Sequence, residues 1–345
     1  MPTWWTGLAT ATPDDAQALH ALSLGFMAAR TLYTAIDLRV FTQLAAEPLP
    51  LPQIAEALGL AERAAGRLLY ACAALGLVQV TPAGFANTPL TQQYLVEGKP
   101  TFIGSYLTLF DTLAYHRWEQ LGLALHRNGP VDAVQHPYYA LADDADEASS
   151  FSMAQHDGSR SLGYALARRV DFTPYTCLLD LGGGSGAYTV EILRHYPHLR
   201  AILMDFPQVA RLAETVMQQE GLTERVQILG GDYEREALPS GADVVLWSGN
   251  LHASSPERCL HVLTKLRAVL PPTGLVVLHD YVLDADRTGP LIPALLALHL
   301  TLVSAQGQVY SRTELRALLT QAGFATVDIQ AFLPGHSSLV MAQVR

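Results

Sequence analysis

The chain has 345 residues, half of them hydrophobic, with 22 basic against 32 acidic residues and a formal net charge of −10. That length exceeds a comfortable single core, so two domains are expected, and the acidic balance argues against nucleic acid as the main partner. No apolar run approaches the roughly 18 residues of a membrane helix, and the start of the chain lacks the basic and apolar segments of a secretory signal. A cytosolic protein is expected, with Cys72, Cys177 and Cys259 reduced and too widely separated to suggest a disulfide set or a zinc site.

In chain order, residues 15–47 carry Leu22, Phe26, Ala29 and Tyr33 at helical spacing, until Pro48-Leu49-Pro50 breaks the pattern. Two short helical patterns follow, stopped by Gly59 and Gly76. Leu77–Val80, the turn Thr81-Pro82-Ala83-Gly84 and Phe85–Asn87 then read as a small β-hairpin, so 1–100 is expected to be a winged-helix domain. Between Val40 and Pro100 the basic residues Arg63, Arg67 and Lys99 face Glu47, Glu56, Glu62 and Glu97, which lacks the positive surplus of a DNA-reading helix. Packing or dimerisation is the expected use.

Residues 101–170 read as helical, with loops at Gly129-Pro130 and His136-Pro137. Their aromatics, Phe102, Tyr106, Phe110, Tyr115 and Trp118, suit either a core or a pocket for a flat, apolar substrate. From 171 to 345 the signal alternates. Strands are expected at Thr176–Leu181, Arg200–Asp205, Arg225–Leu229, Ala242–Ser248, Leu275–Asp280, Ala325–Gln330 and Ser338–Gln343, with helical patterns between most of them. Residues 290–308 read as one apolar helix, and Ser311-Arg312-Thr313-Glu314 as a capping box before another. The expected fold class is α/β, a Rossmann-like domain whose seven-stranded, mainly parallel sheet is covered on both faces, preceded by an α-helical and winged-helix region.

The first of these strands runs into Asp180-Leu181-Gly182-Gly183-Gly184-Ser185-Gly186 and then a helix, the arrangement by which a doubly wound sheet presents a nucleotide cofactor. Gly182, Gly184 and Ala187 also satisfy the dinucleotide fingerprint, so a nicotinamide cofactor stays open on the loop alone. Asp180 points elsewhere, because a carboxylate there repels a pyrophosphate and suits a sulfonium with its ammonium group. Asp205 ends the next strand, 19 residues after Gly186, where it can accept from both ribose hydroxyls. Asp232 follows the third strand, placed to face an adenine amino group with Tyr233 packed on the ring. His252, after the fourth strand, lies at the carboxyl edge where ligands bind, and an imidazole suits removal of a hydroxyl proton. No convincing metal-ligand cluster is present, and no metal requirement is expected.

Together these segments resemble the S-adenosylmethionine-dependent O-methyltransferases of the plant caffeate and acetylserotonin type and their bacterial natural-product relatives. Phe26–Asn87 is similar to the family's winged-helix dimerisation domain, Leu179–Gly186 to its cofactor loop, Asp205–Val209 to its "DLPxV" segment and Gly231-Asp232-Tyr233 to its "GDF". The resemblance implies S-adenosyl-L-methionine as cofactor, S-adenosyl-L-homocysteine as product, and a homodimer formed through the N-terminal domain. It implies cofactor contacts from Asp180, Gly182, Gly184, Gly186, Asp205, Phe206, Gly231, Asp232, Tyr233 and Ser248, the last standing where some relatives have a lysine. It implies His252 as base and substrate-pocket roles for Phe151, Met153, Gln155 and His299. Asp280 stands where the family often has a glutamate that orients the base. As the shorter acid, Asp280 is expected to make a longer or water-mediated contact. Departures are the loss of Asp-Trp after the histidine, here Ala253-Ser254, and of a second glutamate near Val309. The function implied is methylation of a hydroxyl on a small aromatic or secondary-metabolite acceptor. Two alternatives remain at this point: C- or N-methylation of a tetrapyrrole or amino acid derivative, and a winged-helix regulator that responds to a ligand.

Overall fold

The computed structural model describes residues 16–99, 101–131 and 145–344. The N-terminal residues read for a secretory signal, and the loop at His136-Pro137, lie outside them. The chain divides into two compact units, Met1–Leu113 and Ala114–Arg345.

In the first unit, the expected helix over 15–47 is three: α1 Ala16–Ser23, α2 Gly25–Asp37 and α3 Val40–Gln43. The second break falls at Arg39, whose left-handed backbone (φ 59°) ends the helical run before α3. Helices α4 Leu51–Ala57 and α5 Glu62–Ala74 follow, and both glycines expected to stop them, Gly59 and Gly76, have positive φ. Strands β1 Val78–Thr81 and β2 Gly84–Asn87 pair antiparallel as the wing, and α6 Pro89–Tyr94 and α7 Gly104–Phe110 complete the unit. Its core is built on Phe41, Ile54, Leu69, Cys72 and Phe85.

Leu49, expected only to break a helix, instead pairs with the wing. Leu49 and Phe85 exchange both backbone hydrogen bonds at 2.9 Å. Gly84 makes this possible: its φ is +127°, and a Cβ there would lie 2.2 Å from the Leu49 carbonyl oxygen. Gly84→Ala is therefore expected to destabilise this unit by about 2 kcal/mol or more. Thermal unfolding would register the loss, and hydrogen exchange would show it first at the Leu49 and Phe85 amides.

A π-turn at Asp111–Tyr115 spans the boundary, and in the second unit a 3₁₀ turn at Arg117–Gln120 leads to α8 Leu121–Arg127 and the long α9 Ala145–Arg169. The sheet then alternates with helices: β3 Cys177–Leu181, α10 Ala187–His195, β4 Arg200–Asp205, α11 Pro207–Gln219, β5 Val226–Gly230, β6 Val244–Ser248, α12 Pro256–Val269 and β7 Leu275–Asp280. After β8 Val282–Leu283 come α13 Leu291–Val303, β9 Tyr310–Ser311, α14 Arg312–Gln321, β10 Thr326–Leu333 and β11 Ser337–Gln343. The capping box at Ser311 and Glu314 is present.

All seven expected strands form one sheet, in the order β10-β11-β7-β6-β3-β4-β5. Strands β3 to β7 run parallel, and β11 is antiparallel to both β7 and β10. Alternate residues bury opposite faces. Leu179, Val245, Trp247 and Leu278 pack with residues of α12 and α14, while Leu178, Val244, Leu246 and Val277 pack with residues of α9, α10 and α11. The connection direction reverses between β3 and β6, and the glycine loop leaves β3 at that switch point.

Two details differ from expectation. The small parallel pair β8–β9 had no signal, since two-residue strands carry no period. The helix expected over 290–308 ends at Val303, because Ser304 Oγ accepts from the backbone N–H of Gln306 (3.2 Å) and Gly307 (2.7 Å) and turns the chain.

Candidate active site

The carboxyl edge of the sheet gathers most of the polar residues singled out in the sequence. Gly182, Gly184 and Gly186 all have positive φ, between 59° and 79°, which only glycine adopts without strain. A Cβ on Gly186 would lie 2.3 Å from Met217 Cε, so the loop also has no room for one. At Gly184 the space is open, and this is where a ligand can approach the backbone. A cleft of about 60 Å³ is lined there by Asp180, Gly182, Gly184, Tyr188 and Ser248, with Gln155 from α9 on its other wall.

Asp180 is buried, and Thr189 Oγ1 donates to its Oδ2 at 2.6 Å. Burial pushes its carboxyl up to about 7; the Thr189 bond opposes this and the Asp205 charge adds to it. Asp205 Oδ2 accepts from Gly184 N–H (2.8 Å) and Oδ1 from Phe206 N–H (2.7 Å). Burial still outweighs those bonds and raises it to about 6. Both acids are thus poorly compensated as anions. Asp232 Oδ1 accepts from Glu234 N–H at 2.9 Å, and the Tyr233 ring stands edge-on to Trp247. Gly231 donates its N–H to the Asp205 carbonyl at 2.8 Å, joining this turn to the end of β4.

Asp280 behaves oppositely. Its Oδ1 accepts from His252 Nδ1 at 2.7 Å and from Tyr281 N–H at 2.7 Å; its Oδ2 accepts from Leu251 N–H (3.0 Å) and His252 N–H (3.3 Å). The contact to the histidine is direct, not long or water-mediated as its shorter side chain suggested. The two backbone donors draw the 251–252 turn onto the carboxylate and close the gap. Burial would raise Asp280 and depress His252, but their mutual attraction wins, holding Asp280 low and His252 above its ordinary 6.5. Because a carboxylate only accepts, Nδ1 carries the proton and neutral His252 presents a bare Nε2. Where a second glutamate was noted as missing, Val309 is buried, and the neighbouring Gln308 N–H donates to the His252 carbonyl at 2.8 Å.

His279 turns away from this pair. Its Nδ1 meets Tyr188 Oη (2.9 Å) and Ser248 Oγ (3.1 Å), its Nε2 meets Ser337 Oγ (3.0 Å), and burial lowers it to about 4. His299 receives the Trp118 indole N–H on Nδ1 at 3.1 Å. Of the α9 residues, Phe151 is partly buried and Met153 is 43 % exposed, so they do not share a face with equal access. Sequence reasoning missed Thr189, Asn250, whose Nδ2 donates to the Ser248 carbonyl at 2.8 Å, and His156, whose Nδ1 meets Ser185 Oγ at 2.8 Å. Only Thr189, three residues past the loop, carried a local signal. Among the described residues no group of three His, Cys, Asp or Glu is arranged to hold a metal ion.

Replacing Asp280 by Asn removes the charge that raises His252 and leaves the burial that lowers it. An NMR titration should find the His252 imidazole above 6.5 in the wild type and below 6.5 in Asp280→Asn; equal values would show that Asp280 does not set it.

The chain matches the model of an O-methyltransferase domain over residues 126–325 and that of an O-methyltransferase dimerisation domain over 20–97. It is 31 % identical to a 3-hydroxy-5-methyl-1-naphthoate 3-O-methyltransferase of Streptomyces sahachiroi, covering 95 % of this chain and 94 % of the relative. It is 32 % identical to the acetylserotonin O-methyltransferase of Bos taurus, over 88 % and 90 % respectively. A crystal structure of human N-acetylserotonin methyltransferase in complex with SAM superposes with a TM-score of 0.86 at 26 % identity, covering 97 % of this chain and 99 % of that one.

Proposed function

The chain belongs to the S-adenosylmethionine-dependent O-methyltransferase family, and from that premise we propose that it methylates a hydroxyl of a small aromatic acceptor with His252 as general base. The observation that carries the role of His252 is its 2.7 Å bond to Asp280, which fixes a proton on Nδ1 and leaves Nε2 to accept one. The naphthoate and acetylserotonin enzymes among its relatives suggest an aromatic acceptor of secondary metabolism.

The cradle fits the cofactor. Asp180 is assigned to the ammonium group, Asp205 to the ribose hydroxyls, and Asp232 with Tyr233 to the adenine; Gly182, Gly184 and Gly186 admit it to the backbone, with Phe206, Gly231 and Ser248 beside it. When bound, S-adenosylmethionine supplies a methyl carbon made electrophilic by the sulfonium. The chain's share is positioning and proton transfer. His252 Nε2 takes the hydroxyl proton as the oxygen attacks, and Asp280 holds the ring and stabilises the imidazolium formed. Phe151, Met153, Gln155 and His299 are assigned to the acceptor side. In this reading residues 1–100 make a homodimer, 101–170 supply acceptor contacts, and 171–345 bind the cofactor. A cytosolic location agrees with the three free cysteines.

His252→Ala is expected to keep S-adenosylhomocysteine affinity within about twofold and to lose about 10²- to 10⁴-fold in turnover. In the wild type kcat/KM should rise with pH through the raised His252 pKa, because only the neutral imidazole accepts. Near-wild-type turnover in His252→Ala, or a methyl found on carbon or nitrogen by NMR of the product, would remove the base from the mechanism.

A second expectation follows from Asp180 and Asp205. At pH 6.5 both carboxyls are partly protonated, and an ammonium group and hydroxyl donors favour their anions, so S-adenosylhomocysteine binding should release protons. At pH 8.5 both acids are already ionised and the release should vanish. Calorimetry in buffers of different ionisation enthalpy measures it; no release at pH 6.5 would contradict the assignment.

A further inference from the structure

His252 sits on a turn that is too short to hold itself. Leu251–Ala253 is a single 3₁₀ turn with two internal bonds, Ala253 N–H to the Asn250 carbonyl and Ser254 N–H to the Leu251 carbonyl, each 3.2 Å. One such turn has poor hydrogen-bond geometry and too few bonds to fix its own backbone. Its place is therefore set from outside. At its start Asp280 Oδ2 accepts from the Leu251 and His252 N–H groups. In its middle Gln308 N–H donates to the His252 carbonyl. At its end stands Tyr310.

Tyr310 is 1 % exposed, and its hydroxyl donates to the Ser254 carbonyl at 2.6 Å. Ser254 is buried too, so that carbonyl needs a donor from the protein. Among the described residues its other contact is the Cys259 thiol, at 3.9 Å. The thiol lies nearer the Tyr310 oxygen, 3.3 Å, and the Leu251 carbonyl, 3.4 Å. A phenol has one proton to give, and here the Ser254 carbonyl takes it. Burial first, then Cys259 beside it, push the phenol well above its ordinary value, so it stays a donor.

The tyrosine and the acid also share a support. Tyr310 begins β9 and stands opposite Val282, the first residue of β8, two residues after Asp280. One end of the base turn is thus tied to Asp280 and the other to a strand pair that continues from it. Gln308 and Tyr310 flank Val309, the position without a second carboxylate. From there they grip the backbone of the turn, not the imidazole.

We infer that Tyr310 is a positioning residue for the base: by holding the Ser254 carbonyl, its hydroxyl keeps the turn where His252 Nδ1 meets Asp280. The inference rests on the reading of His252 as base and adds the group that keeps it in place. Without this bond the end of the turn moves off its support. The imidazole–carboxylate contact then lengthens, and the burial that lowers His252 is less opposed.

The test is an NMR titration of His252 in the full-length enzyme loaded with S-adenosylhomocysteine, for the wild type, Tyr310→Phe and Tyr196→Phe. Phenylalanine keeps each ring and removes one hydroxyl. Tyr196 is the control, because it too donates to the carbonyl of a buried residue, Val170, at 3.0 Å, on the opposite face of the sheet. Both variants should melt earlier than the wild type. In Tyr310→Phe alone, His252 should hold its proton about threefold more weakly, and the Leu251 and His252 amides should exchange faster. A further measurement needs no variant: in the wild type the Tyr310 hydroxyl proton should be a slowly exchanging resonance with a cross-peak to Ser254. Three results overturn the inference: an unchanged His252 titration in Tyr310→Phe, an equal change in Tyr196→Phe, or a Tyr310 hydroxyl proton in free exchange with water. Full turnover in His252→Ala would take the base role from the turn and leave its attachment to Tyr310 standing. An unchanged titration in Tyr310→Phe, with turnover lost in His252→Ala, would do the reverse.

Discussion

Burying a carboxylate costs free energy unless something compensates its charge, and this constraint organises the catalytic unit. Three strands of the sheet carry an aspartate at the same edge, β4 and β7 as the last residue and β3 one residue before its end. Asp280 receives three backbone N–H groups and an imidazole, and it is held ionised. Asp180 receives a hydroxyl and Asp205 two backbone N–H groups, and neither is brought back to an ordinary carboxyl. The protein itself compensates the first fully and the other two only in part. The same residue type thus serves two purposes, and the number and charge of its donors decide which.

The supports of this edge come from the helices. Gly163 on α9 allows that helix to approach α10 so closely that a Cβ would lie 2.9 Å from Tyr188 Cα. Arg160 then bridges Glu191 on α10 at 2.8 Å and Glu220, just past α11, at 3.3 Å. From the same helix His156 reaches Ser185 inside the glycine loop. On the other side of the loop Asn250 spans from the Ser248 carbonyl towards Gly182, whose added Cβ would strike the amide at 2.7 Å. The loop is therefore held from both sides by side chains, with glycines where the backbone must bend.

Much of this was legible in the sequence, for identifiable reasons. Strand positions and the glycine stops follow from local patterns of apolar residues and from φ requirements, which neighbours in sequence largely decide. The aspartates at strand ends were legible because a parallel sheet brings all its carboxyl ends to one edge. What the sequence hid is pairing at a distance. Trp118 and His299 are 181 residues apart, and His156 and Ser185 are 29 apart, with no periodicity to link them. The reach of Asp280 was misjudged because side-chain length was considered without the backbone donors that bring the 251–252 turn to it. Leu49 was read as a break because a single bridging residue is too short to show alternation.

The place of β11 in the sheet bears on how the site is made. It comes after every other strand in chain order, yet it lies between β10 and β7 and pairs with both. Its Ser338 stands opposite Asp280, and its neighbour Ser337 holds the far nitrogen of His279. During synthesis the strand that carries Asp280 thus waits with one edge unpaired until residues 337–343 emerge. The glycine loop and the strands around it are translated long before. The edge that gathers Asp180, Asp205 and the glycine loop is available for assembly early, and the edge beside the Asp280–His252 pair is finished last.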